Sequence, residues 1–201
     1  MILHSNNSEE EDFQGFDDSK VEVDERNSEN SGETGNQASH KVKNHSSSGM
    51  TQDMKNKIGD RGEKIVFKFL KKEWRKKAEL VDESESEMQF KDGEGHLYNI
   101  SLLNEEGKTG IGCDILIKNE ETILEYIEVK SSKLSDKELF PVNGYQWALA
   151  QKTYKRGEGN KYYFYVVKDV LSHNPRVTQI KNPIKKWKEG LLRAHPVNLE
   201  L

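Results

Sequence analysis

The apolar residues of this 201-residue chain change period along its length, and each period predicts a different element. In residues 53–77, Val66, Phe69, Leu70 and Trp74 recur at spacings of three and four, which predicts a helix with one apolar stripe. Lys64, Lys68, Lys71 and Arg75 keep the same spacing on another face and make a basic stripe. Glu63 falls on the apolar side, where a carboxylate either finds a cation, a metal or hydrogen bonds, or snorkels into water from the stripe's edge. Gly59 and Gly62 each weaken a helix by about 1 kcal/mol relative to Ala, and they permit close approach of another backbone. Downstream the period shortens to two. Residues 97–102 alternate as a strand, with turns at 92–95 and 104–107 and a solvated acidic loop over 82–87. Residues 112–118 and 122–130 read as two strands of a hairpin joined through Asn119-Glu120-Glu121. Asn143 is placed to cap a second helix that runs to about residue 155 and is closed by Gly157-Glu158-Gly159. Residues 161–170, KYYFYVVKDV, form the strongest strand because they are dense in aromatic and β-branched side chains. Residues 176–180 read as a last short strand, and Asn182-Pro183 begins a small helix through Lys188.

Charge divides the chain in two. The formal net charge of −4 comes from 31 Lys and Arg against 35 Asp and Glu. Residues 1–50 hold 11 of the acids and 4 of the bases, which leaves 24 acids and 27 bases for residues 51–201. The first segment is thus strongly acidic and the second mildly basic. Residues 5–49 carry only isolated apolar side chains such as Phe13, Phe16, Val21 and Val23, too few to offset the chain entropy of folding. Residues 1–50 are therefore expected to be a disordered acidic leader, either a passive linker or a tail that recruits a partner, and residues 51–201 to be the folded domain. No apolar run approaches the roughly 18 residues of a membrane span, and Met1-Ile2-Leu3 is too short for a signal-peptide core. The expectation is a soluble intracellular protein, cytoplasmic or nuclear. The single cysteine, Cys113, excludes a disulfide framework and a cysteine-based zinc site, and reads as a small core residue. The six histidines show no metal spacing.

The hairpin carries the chemistry. Alternation puts Glu128 and Lys130 on one face of their strand, with Ile127 and Val129 on the other. On the partner strand Asp114 and Leu116 share a face. With Lys118 opposite Leu124, Asp114 stands directly across from Glu128, and opposed Cβ atoms lie about 4.5–5.5 Å apart. Two carboxylates that close raise a pKa unless a cation sits between them. Leu116, Leu124 and Tyr126 on the same face point to burial, where unpaired charges are costly. The other reading is a cross-strand salt-bridge cluster on a solvated face, worth under about 1 kcal/mol per pair.

The order of elements, with an acid at the start of one strand (Asp114) and Glu128-Val129-Lys130 on the next, resembles the PD-(D/E)xK nuclease superfamily. More closely, the run from Gly62-Glu63 through Gly112-x-Asp114-Ile115 and Ile127-Glu128-Val129-Lys130 to Tyr163-x-Tyr165-Val166-Val167 is similar to the C-terminal domain of the plant protein NO VEIN. The resemblance covers about residues 56–190. It implies an α/β fold with a mixed central sheet flanked by helices and a restriction-endonuclease-like core of order α-β-β-β-α-β. It also implies metal-dependent hydrolysis of DNA phosphodiesters. Asp114, Glu128 and Glu63 would then be metal ligands and catalytic acids, with the Val129 carbonyl a further ligand. Lys130 would be the catalytic lysine, and Gln146 an accessory polar residue where many NO VEIN-type domains carry Glu.

Elementary chemistry agrees with such a role. Hydrolysis of a phosphodiester needs an activated water and stabilised charge at the phosphate, and hard Mg²⁺ (or Mn²⁺) often uses only one or two carboxylates plus phosphate and waters. Lys130 could orient the water or stabilise the transition state. Lys68, Lys71, Arg75, Lys152 and Lys155 are candidate phosphate contacts, although charged helix faces are commonly just solvated. The partners expected are DNA and, from the company that similar bacterial domains keep, a helicase or ATPase; a homodimer is compatible with this pattern. The alternative from a different class is a non-catalytic nucleic-acid or protein-binding module that retains the fold.

Overall fold

A computed structural model describes residues 23–25, 50–103 and 111–194 of the chain. Thr51 caps the first helix, α1 (Gln52–Trp74), by accepting a hydrogen bond from the Met54 N–H. One side of α1 is buried through Ile58, Ile65, Val66, Phe67, Leu70 and Trp74. The stripe expected from the sequence is thus extended backwards by Ile58 and Ile65, and Phe69 lies at its half-buried edge.

Five strands follow as an antiparallel run: β2 (Glu79–Glu83), β3 (Glu87–Lys91), β4 (Leu97–Leu102), β5 (Ile115–Asn119) and β6 (Thr122–Ser131). The first two correct the sequence reading, which made residues 82–87 a solvated loop. The turn between them is shorter, and the Ser84 hydroxyl holds it by accepting the Glu87 N–H at 2.9 Å. β3 buries Met88 and Phe90, whereas β2 is the exposed edge strand and carries almost no apolar pattern to read. The turn expected at 104–107 lies outside the described residues.

Helix α2 (Gly144–Lys155) then leads to β7 (Tyr162–Lys168), which pairs with β6 in parallel; β8 (Arg176–Lys181) returns antiparallel, and α3 (Pro183–Lys188) follows. Asn143 and Asn182 cap α2 and α3 as their sequence positions predict. The seven strands of the domain form one mixed sheet, so the architecture is α/β. A three-residue strand, β1 (Val23–Glu25), adds to its edge in parallel with β8, in register Val23 to Val177. The rest of the acidic leader up to residue 49, with the disorder expected for it, lies outside the described residues. No helix among the described residues is long and apolar enough to cross a membrane.

The two faces of the sheet have separate cores. Ile127 and Val129 of β6, with Tyr163, Tyr165 and Val167 of β7, pack against α1. Tyr162 and Phe164 pack on the opposite side with Ala150 of α2 and Ile184 of α3. Gly62 fixes the first contact: a Cβ there would meet the Ser131 Cβ at 2.8 Å and its Oγ at 1.7 Å. The close approach that the glycine allowed is therefore between α1 and the end of β6.

Candidate active site

β5 and β6 pair as Ile115 with Ile127 and Leu116 with Tyr126, a register that carries Asp114 across from Glu128. The turn end differs from expectation. Asn119 pairs with Thr122, leaving Glu120-Glu121 as a two-residue loop with Glu120 at φ +51°, and a bulge puts Lys118 opposite Ile123. The bulge sends Leu124 to the α1 side of the sheet while Ile123 packs beside Leu116. The displaced pairing stays local to the turn, and the acid-bearing ends still meet.

Asp114 sits one residue before β5 begins. Its N–H donates to the Ile127 carbonyl at 2.9 Å, and its Oδ2 accepts the Val129 N–H at 2.7 Å. Its carbonyl accepts from the Leu103 N–H at 2.8 Å. The side chain thus continues the ladder where the strand has not yet started. Gly112 lets the chain arrive there: it has φ +90°, and a Cβ would meet the Tyr145 carbonyl oxygen at 2.8 Å. The Tyr162 hydroxyl donates to the Gly112 carbonyl at 2.9 Å from beneath. Gly112, which the Gly-x-Asp spacing marked, and Tyr162, which the sequence pattern did not single out, are positioning residues.

Glu128 is 2% exposed, on the α2 side of the sheet. Lys130 Nζ lies 2.9 Å from its Oε1, and the Gln146 side-chain amide donates to the same oxygen. Gln146 Oε1 in turn accepts from Lys130 Nζ at 2.9 Å and from the Asn143 N–H at 2.8 Å. The capping box of α2 is therefore also one wall of the site. The amide serves both neighbours at once, donating to a carboxylate on one side and accepting from an ammonium on the other. Asn143 enters the site through this bond, and the Asn-x-x-Gln spacing was the signal for it.

The electrostatics follow from burial. Desolvation, with the Asp114 charge added to it, pushes the Glu128 carboxyl up to about 8 against the pull of Lys130. Burial first, then Asp114 and Glu128, pushes the Cys113 thiol up to about 12, so Cys113 is the inert core residue expected of it. Burial and the same two acids also raise the Tyr162 phenol, which stays a neutral donor. Glu128 is thus a buried carboxylate with Lys130 as its ion-pair partner and a second acid, Asp114, beside it, an arrangement that favours a proton or a cation on the pair.

Asp114, Glu128, Lys130 and Gln146 are brought together, and Val129 contributes its N–H to the same corner. Glu63 is not. Among the described residues no three or more His, Cys, Asp or Glu side chains are grouped to hold a metal ion. The reason is topological: α1 covers the Val129 face of β6, and Glu128 turns to the other face. The candidate phosphate contacts separate in the same way. Lys68 and Lys71 ride on α1 and Arg75 is its C-cap, and Lys71 bridges both carboxylate oxygens of Glu83. Lys152 and Lys155 ride on α2, on the side of the sheet that holds Glu128 and Lys130.

Residues 62–180 match the family model described as protein NO VEIN, C-terminal. Protein NO VEIN of Arabidopsis thaliana is 31% identical over 96 residues, which is 47% of this chain and 3% of that protein. Protein NO VEIN-LIKE of the same plant is 27% identical over 137 residues, 67% of this chain and 17% of its own length. The chain thus spans a small part of the relatives it matches. No solved structure matches it.

Proposed function

This chain belongs to the family of the NO VEIN C-terminal domain, and we propose that its domain is a restriction-endonuclease-like nuclease of the PD-(D/E)xK type that hydrolyses DNA with a divalent cation. The observation that carries this is the buried meeting of Asp114 and Glu128 beside Lys130, with more negative charge than one lysine neutralises. Both donors are hard oxygens, which suits Mg²⁺ or Mn²⁺, and two carboxylates suffice when phosphate and water complete the shell.

Asp114 and Glu128 would hold the ion, with the Val129 carbonyl as a third oxygen. A cation there would polarise the scissile phosphate and lower the pKa of a water. The chain's own residues do the rest. Asp114 is held on β6 through the Val129 N–H, so its position is set by the ladder and not by a flexible rotamer. Lys130 Nζ has its charge directed by Glu128 and Gln146, and it stabilises the negative charge that grows on the phosphate. Gln146 donates to Glu128 and so orients its carboxylate.

One observation favours the second reading, a non-catalytic binding module: Lys130 and Gln146 already satisfy Glu128 Oε1 within the chain. A nuclease assay on plasmid, linear and single-stranded DNA with and without Mn²⁺ separates the two. Cleavage that requires the metal supports the nuclease, and intact substrates throughout contradict it. A rise in Tm with Mg²⁺ or Mn²⁺ supports occupancy of the site, since a ligand at a hundredfold excess over Kd stabilises by about 2.7 kcal/mol.

A further inference from the structure

The outward side of α2 joins an aromatic ring to a row of cations. Tyr145, at the first turn, is 72% exposed, the most of the exposed large apolar side chains in the described residues. Ala148, Lys152 and Arg156 follow it at spacings of three, four and four, so all four lie on one stripe of the helix and its C-cap. At 1.5 Å per residue the stripe runs about 16 Å from Tyr145 to Arg156. An open cavity of about 410 Å³ lies along it, lined by Ala148, Gln151, Lys152, Lys155 and Arg156. The ring end of the stripe adjoins the acid pair: Tyr145 precedes Gln146, whose amide holds Glu128, and its carbonyl abuts Gly112, two residues before Asp114.

We propose that this stripe binds single-stranded nucleic acid, with Tyr145 stacking on an unpaired base at the mouth of the site and Lys152, Lys155 and Arg156 following the phosphates. The charge is complementary to a phosphate backbone, and no acid lines the cavity. The ring selects the single strand. Every base in a duplex has both faces covered by its neighbours, whereas an unpaired base offers a free face to an exposed aromatic side chain. The depth of Glu128 points the same way, since it is 2% exposed and the phosphate must come to it on a strand that can bend inward. The location of the scissile phosphate rests on the nuclease reading; the binding surface does not.

The test is fluorescence anisotropy of the full chain in chelator, with a labelled oligothymidine and a blunt duplex of equal length. The single strand is expected to bind at least about tenfold tighter than the duplex at the same salt. Tyr145→Ala should weaken single-strand binding by about five- to a hundredfold, and Tyr145→Trp should retain it. Lys152→Gln with Lys155→Gln should flatten the salt dependence without removing the preference for the single strand. Equal affinity for duplex, or affinity unchanged in Tyr145→Ala, overturns the proposal even if the protein cleaves DNA. Tyr145-dependent binding without cleavage on any substrate upholds this surface while the nuclease reading falls.

Discussion

The side-chain amide of Gln146 donates to the buried carboxylate of Glu128, and through its oxygen the same amide accepts from Lys130 at 2.9 Å. One residue at the start of α2 therefore fixes both members of the Glu-x-Lys triplet on β6. In Gln146→Glu a third carboxylate faces the same lysine. The metal-free variant should melt below the wild type, by more at pH 9 than at pH 6, where a shared proton relieves the repulsion. Gln146→Ala loses the bonds to Glu128 and Lys130 along with the capping contact, about 1–3 kcal/mol, and its Tm loss should depend less on pH than that of Gln146→Glu. Thermal melts of the three proteins at both pH values check this.

Glu128 itself gives the metal-free protein a pH profile. Its carboxyl is raised from 4.5 to about 8 on folding, so the folded state holds the extra proton in that window. The stability from this group is fully present below about pH 4.5 and is lost as pH rises through 8. Saturating Mg²⁺ should reverse the loss, with the largest rise in Tm at the alkaline end and proton release on binding near pH 7. Calorimetry in buffers of different ionisation enthalpy measures the protons released.

Gly62→Ala tests the contact of α1 with β6. The added methyl would meet the Ser131 Cβ, which no side-chain rotation removes, so the helix must move. A destabilisation of about 1–3 kcal/mol is expected in urea titration, as for other insertions into a packed core.

The two basic stripes should separate by function. Lys71→Ala on α1 loses a pair with Glu83 at the surface, worth about 0–1 kcal/mol, and should leave nucleic-acid affinity unchanged. Lys152→Gln and Lys155→Gln on α2 should weaken binding and lower the slope of affinity against salt. Anisotropy titrations between low and physiological salt read both effects.

The site was legible wherever local rules and tertiary placement agree. Strand alternation put Glu128 and Lys130 on one face and the Asn143 cap fixed where α2 begins, whereas Gln146 entered only through the family resemblance. What failed to show was set by distant partners. β2 is an exposed edge strand whose pairing with β3 supplies the order that its charged sequence lacks. The bulge at Leu124 accompanies a two-residue loop, and no single-strand pattern reveals either. Glu63 was expected to reach the acid pair from α1, but which face of the sheet α1 covers is a property of the whole fold. The same holds for the two lysine stripes, which look alike along the chain and lie on opposite sides of the sheet.

The central claim is that Asp114, Glu128 and Lys130 are a cleavage site, and the most direct test is metal-dependent cleavage by Asp114→Ala and Lys130→Ala beside the wild type. Both variants should keep the wild-type circular dichroism spectrum and lose at least about two orders of magnitude of Mn²⁺-dependent cleavage. Cleavage at the wild-type rate by either folded variant would contradict the claim.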